Sequence, residues 1–240
     1  MSRFITVLAF VSVSMTVSAA DDAGLKARFA KQLEKVLPGV EVTSVAPGPI
    51  PGTYEVMMGH SLIYMSDDGR YAIRGDVYDL SAGRNLSDDR RSTSRGEALK
   101  ALTADSYIEF GPAGATENVI YVYTDIDCTY CRKLHTEVPA LNEAGIAVRY
   151  LAFPRSGIPS ESYDKAVSVW CAADKQSALT QAKAGAKLNM ASCDNPVKTH
   201  YEMGGSMNVR GTPSIMLESG KEIGGYIPAE RLIEFFESRS

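Results

Sequence analysis

The 240-residue chain has one tryptophan and three histidines, and it contains no internal repeat, no low-complexity tract and no uninterrupted apolar run of membrane-spanning length. Without a long apolar run it has no ordinary membrane-spanning helix, and without a repeat it is not a solenoid or a propeller. Charge of one sign is scarce as well: 25 bases stand against 29 acids, for a net charge of −4. A mildly acidic chain with no basic stripe gives no electrostatic reason to expect nucleic acid or an anionic membrane as partner. What is present, 45% hydrophobic and 22% charged residues, suits globular folding as one large domain or two small ones.

The first twenty residues, MSRFITVLAFVSVSMTVSAA, carry Arg3 near the start, an apolar stretch from Phe4 to Val17, and the small residues Ser18, Ala19 and Ala20 at the end. This is the pattern of a cleavable secretory signal peptide, spanning residues 1–20. A membrane anchor would need roughly 20 apolar residues, and Asp21 and Asp22 leave it too little room. Removal would leave 24 bases against 29 acids, a mature charge of −5. Export also changes how Cys128, Cys131, Cys171 and Cys193 are read, because disulfides persist outside the cytosol and an even count suits two bridges. Four cysteines allow three pairings.

After the leader, Leu25, Phe29, Leu33 and Val36 form one helical stripe that Pro38 and Gly39 end. Alternating Tyr54, Val56 and Met58, then SLIYM and RYAIRGDVYDL around the turn Asp67-Asp68-Gly69, read as antiparallel strands. Residues 21–82 are thus a helix plus a small sheet, too small to bury much apolar area alone, and a candidate for pairing with a second chain. Residues 83–103 form a polar linker in which Ser94 and Glu97 have capping-box spacing, placing a short helix near Arg95. The charged run Asp88 to Arg91 reads as a solvated face of that linker. Residues 104–240 alternate strand and helix: YIEF and VIYVYTD as strands, CRKLHTEVPALNEAG as a helix, IAVRYLAFP as a strand, helical character from Glu161 to Met207, a hairpin turning at Ser219 and Gly220, and a last helix after Pro228. The class is α+β.

The segment TDIDCTYCRKLH sits where a strand gives way to a helix. There the first sulfur, Cys128, would face the free N–H groups and positive dipole of the first helical turn, so it is expected to be exposed and ionised. Cys131, one turn further in, would stay protonated and resolve mixed disulfides. A c-type haem site would need His directly after the second cysteine, where Arg132 stands. Zinc would want a second short cysteine pair, but Cys171 and Cys193 are 22 positions apart, and His135 reads as a partly exposed helical surface group. A purely structural 128–131 bridge would close a loop too small to constrain the unfolded chain much. The residues favour redox chemistry.

VYTDIDCTYCRKLH together with VRGTPSIML resembles thioredoxin-fold oxidoreductases, and the mature chain as a whole resembles the periplasmic disulfide isomerase family of DsbC and its relative DsbG. The resemblance implies a thioredoxin-fold catalytic domain with a helical insertion, behind a small cystatin-like dimerisation domain. It implies that Cys128 attacks and Cys131 resolves, that Thr129 and Tyr130 between them and Thr212 beside the cis-proline Pro213 contact substrate, and that Cys171 and Cys193 form a second, structural disulfide. It further implies a periplasmic homodimer with chaperone activity, misoxidised or misfolded exported proteins as clients, re-reduction by an inner-membrane partner of the DsbD type, and no cofactor or metal. Two departures stand out: Thr129-Tyr130 replaces the common Gly-Tyr, and Asp127, a potential helix cap, precedes the first cysteine. Trp170, beside Cys171, reads as core packing. A monomeric DsbA-like oxidase, a DsbG-like reductase of sulfenylated cysteines and a chaperone without redox function are the competing readings.

Overall fold

The computed structural model describes residues 19–239. The segment read as a signal peptide therefore lies outside the described residues, except for Ala19 and Ala20, which open the first helix.

That helix, α1 (Ala19–Leu33), buries Phe29 and Leu33 against the antiparallel sheet β1 (Ser44–Pro47), β2 (Thr53–Met58), β3 (Ser61–Ser66) and β4 (Ala72–Ile73), whose spatial order follows the chain. Val36 does not continue the stripe: the chain tightens into turns after Leu33, and Val36 is left exposed. The stretch RYAIRGDVYDL is broken: it supplies only β4 and, beyond Gly75, β5 (Tyr78–Asp79), which pairs in a short ribbon with β6 (Arg84–Asn85) from the segment read as linker. β1 and β4 are sheet edges, and Tyr71 and Ile73 beside the second edge are exposed.

The polar segment is helical over most of its length. α2 (Leu86–Lys100) begins nine residues before Arg95, because the Asn85 side chain accepts the Asp88 N–H at 2.9 Å and Asp88 and Asp89 suit the positive end of the helix. Ser94 is no cap; its hydroxyl meets His60 Nδ1 at 2.9 Å. The run from Asp88 to Arg91 is also not a free solvated face. Arg91 pairs with Asp76 at 2.8 Å, Arg90 approaches Glu55 at 3.6 Å, and Asp88 meets the buried Arg95 at 3.2 Å. On the other side α2 presses against the later hairpin, where a Cβ on Gly96 would lie 2.6 Å from the Ser219 carbonyl oxygen and one on Gly220 2.1 Å from that of Ser92. Gly220 also has φ +79°, so both size and backbone conformation select glycine there.

The second sheet has the order β11-β10-β8-β9-β7, built from β7 (Ile108–Phe110), β8 (Asn118–Thr124), β9 (Ile146–Ala152), β10 (Ser214–Leu217) and β11 (Glu222–Gly224). β8 and β9 run parallel through the crossover helix α3 (Thr129–Glu143), and the other pairings are antiparallel. The alternation of β8 is read out on two faces. Ile120 and Val122 pack under α3 with Leu134 and Val138, while Val119, Tyr121 and Tyr123 pack on the opposite side with Leu99 of α2. The region expected to be helical from Glu161 to Met207 is three helices, α4 (Glu161–Trp170), α5 (Lys175–Lys183) and α6 (Val197–Ser206), separated by turns and an irregular loop. α7 (Ala229–Glu237) closes the chain and buries Leu232 in the α3-side core. No helix of the described residues is long and apolar enough to cross a membrane.

Candidate active site

β8 delivers the chain to a tight turn, and Cys128 serves as the N-cap of α3. Its sulfur accepts the Cys131 N–H at 3.4 Å, as expected of a group at a helix N-terminus. From the far side of the domain Thr212 comes to meet it, with 3.2 Å between the Cys128 Sγ and the Thr212 carbonyl oxygen. The Thr212–Pro213 peptide is cis, as is Ile158–Pro159, which sequence reasoning did not single out. The Thr212 hydroxyl is buried without a hydrogen-bond partner, and its influence on the two sulfurs favours their ionised forms.

Cys128 is not exposed, contrary to the sequence expectation; only 2% of its surface reaches solvent, because Thr212 and the turn cover it. Burial pushes its thiol up, but the Thr212 hydroxyl, the Cys131 N–H and thiol and the positive charge of Arg155 outweigh that, and the thiol lies below its ordinary range. Cys131 goes the other way: burial raises it, and Lys183, the Asp125 backbone and the hydroxyls of Thr124 and Thr212 only partly compensate. Two free sulfurs three residues apart thus differ in acidity.

Asp127 is turned away from the sulfurs and does not cap α3. Its carboxylate meets Lys165 at 3.1 Å and Arg132 at 3.3 Å. Asp125, which sequence reasoning passed over, is the structural acid of the turn: buried, it accepts the Asp127 N–H at 2.7 Å, the Arg155 N–H at 2.8 Å and the Ser162 hydroxyl at 3.0 Å. Thr129 is exposed, and Tyr130, 60% exposed, stacks on Tyr226 at 5.7 Å, leaving an aromatic platform beside the covered sulfur. His135 is no surface group; Tyr150 and Thr180 hold its two ring nitrogens at 3.1 and 2.9 Å, and burial lowers its pKa to about 4. Cys171, at the C-cap of α4, is bridged to Cys193 in the loop before α6. Trp170 is buried in the α3-side core. Also missed was Lys183, a buried cation whose only sequence signal is that it extends the inward positions Leu179 and Ala182. Among the described residues no cluster of three or more His, Cys, Asp or Glu could hold a metal ion.

A dithiol at the junction of a central strand and its crossover helix, faced by a Thr-Pro segment, defines a thiol–disulfide oxidoreductase of the thioredoxin fold. Family models agree: residues 105–239 match the thioredoxin-like domain and residues 16–88 match the disulfide bond isomerase protein N-terminal domain. The thiol:disulfide interchange protein DsbC of Salmonella typhimurium is 35% identical over 98% of this chain and 95% of its own, and that of Escherichia coli (strain K12) is 34% identical over 91% and 88%. The chain belongs to the DsbC family of thiol:disulfide interchange proteins. Its chemistry is thiol:disulfide interchange, and the family's activity is disulfide isomerisation. Among solved structures, the thiol-disulfide exchange protein alpha-DsbA2 from Wolbachia pipientis is 14% identical with a TM-score of 0.51, covering 65% of this chain and all of that one, a likeness of fold.

Proposed function

We propose that this chain works as a homodimeric disulfide isomerase and chaperone in the periplasm, with Cys128 as attacking and Cys131 as resolving sulfur. The observation that carries the reading is the Cys128 sulfur held between the Cys131 N–H and the Thr212 carbonyl, with its thiol acidity raised while that of Cys131 is suppressed. The Cys128 thiolate attacks one sulfur of a wrong client disulfide, a mixed disulfide forms, and the other client sulfur leaves as thiolate. A different client thiol then attacks the client sulfur of the mixed disulfide, forming a new client disulfide and releasing Cys128 as thiolate, or Cys131 attacks Cys128 and the client sulfur leaves as thiolate. When Cys131 completes the exchange, the enzyme leaves as a disulfide and an inner-membrane reductase of the DsbD type returns it to the dithiol. Clients are misoxidised or misfolded exported proteins, whose extended segments lie along the Thr212-Pro213 backbone and over Tyr130.

The N-terminal sheet supports the dimer, since its edges β1 and β4 and the exposed Tyr71 and Ile73 invite a partner strand. Two catalytic domains facing one cleft keep a loosely held client near a thiolate through successive exchanges. The test is recovery of activity by a scrambled multi-disulfide protein, with the mature chain compared against one beginning at Leu86. That shortened chain keeps α2, whose Leu99 is buried in the catalytic core. It should be monomeric, reduce simple disulfides and lose most reshuffling and client protection. A monomeric full chain by sedimentation, or undiminished reshuffling by the shortened one, would favour the oxidase reading instead.

A further inference from the structure

Cys131 presents a chemical difficulty. Resolving a mixed disulfide requires it as thiolate, yet burial holds its proton on. No carboxylate lies within ion-pair distance of Lys183, the buried cation behind it, among the described residues. Its ammonium instead donates to Thr124 Oγ1 at 2.7 Å, and the Thr124 hydroxyl in turn supports the Cys131 sulfur. On its other side Lys183 lines a cavity of about 550 Å³, with Arg132, His135 and Thr180, which opens to solvent.

We infer that Thr124 and Lys183 form a proton relay for the resolving cysteine, carrying the Cys131 proton to the lysine amine and from there to the water of the cavity. The inference rests on the reading of Cys131 as the resolving sulfur. In the step, Cys131 S–H gives its proton to Thr124 Oγ while the Thr124 O–H proton passes to the neutral Lys183 amine. The Cys131 thiolate attacks Cys128 Sγ, the Cys128–Cys131 bond forms, the Cys128–client bond breaks, and the client sulfur leaves with the electron pair. Lys183, now an ammonium, releases its proton to the cavity. Atoms and charge balance without a further reactant.

The surroundings of Lys183 make it a usable base. Burial is the largest influence and lowers its pKa to about 8, opposed by the sulfurs of Cys131 and Cys128 and by Asp125, with Arg132 acting in the same direction as burial. His135 beside it is held neutral, and Tyr150 offers its ring face at 5.4 Å. A lysine in water would be almost wholly protonated at neutral pH, whereas this one is free to accept for an appreciable fraction of the time. Lys183 is a positioning residue, acting on Cys131 through Thr124 and touching neither client nor Cys128.

The test separates the two halves of the reaction. Reduced mature protein is mixed with glutathione disulfide and quenched with acid, and mass analysis follows first the glutathionyl adduct on Cys128 and then its loss by Cys131 attack. In the parent the second step should quicken as pH rises through about 8. In Lys183→Met and Thr124→Val it should be slower by on the order of tenfold to a hundredfold at pH 7, with its rise moved to higher pH. The first step should change far less. Lys183→Arg, which keeps the charge but cannot take a proton, should be as slow as the Met variant. Full restoration by Arg would show that charge alone suffices and overturn the relay, as would a second step unchanged in the Met or Val variant. Titration of the Cys131 thiolate by its ultraviolet absorbance in Cys128→Ser gives an independent reading, and Lys183→Met added there should raise it. A parent adduct that Cys131 never resolves would remove the resolving role itself and the relay with it.

Discussion

Replacing Lys183 by methionine should make the protein more stable at neutral pH while slowing the resolution of mixed disulfides. The lysine is 4% exposed, and burial lowers its pKa from 10.5 to about 8, a drop that corresponds to roughly 3 kcal/mol. Because this base is depressed in the folded state, the cost is fully present below about pH 8, where folded and unfolded chains both carry the proton, and fades as pH climbs towards 10.5. Methionine removes the charge at similar length, and its thioether suits the apolar wall formed by Phe110 and Val138. It forfeits the 2.7 Å hydrogen bond to Thr124, worth about 1 kcal/mol net. The balance is a gain of about 2 kcal/mol at pH 7, or roughly 4–8 °C in melting temperature for a chain of this size. Denaturant and thermal unfolding of the reduced parent and variant, at pH 7 and again near pH 10.5, would measure it. A variant less stable at pH 7, or one whose advantage is the same at both pH values, would refute the reasoning.

At pH 6 an alkylating agent should label Cys128 well ahead of Cys131, and Cys131→Ser should trap clients as mixed disulfides while Cys128→Ser traps none; equal labelling would sink the division of labour. Replacing Cys171 and Cys193 together by serine releases a loop of about 23 residues and should cost roughly 3 kcal/mol of stability while sparing most isomerase activity at moderate temperature, which unfolding curves and the scrambled-protein assay check side by side. His135 and His200 are both pushed by burial to about 4, so their ring protons should show no titration near pH 6.5 in NMR spectra, and the stability they confer should be complete above 6.5 and be lost as pH falls towards 4. A normal titration of either ring would show that it is not buried as described.

The chemistry was legible in the sequence because it depends on local features. Two cysteines at the mouth of a helix, a strand of alternating apolar residues before them and a Thr-Pro segment before a later strand carry their meaning in spacing, and the structure places all three together. The coarse order of strands and helices in the second domain followed from the same periodicities. What the sequence could not convey depends on residues far apart in the chain. Cys128 is covered because Thr212, 84 positions away, closes over it. His135 is buried because Tyr150 and Thr180 receive its nitrogens, and the run Asp88 to Arg91 is anchored because Asp76 and Glu55 lie opposite. Local propensity marked α2 only near Arg95, since its true start depends on the Asn85 cap and its polar face is stabilised by pairing with another module. Lys183 reads as an ordinary surface lysine in one dimension. Only the packing of α5 against α3, α4 and β7 buries its amine on Thr124 behind Cys131, where loss of water, more than any feature of the sequence around it, sets its acidity.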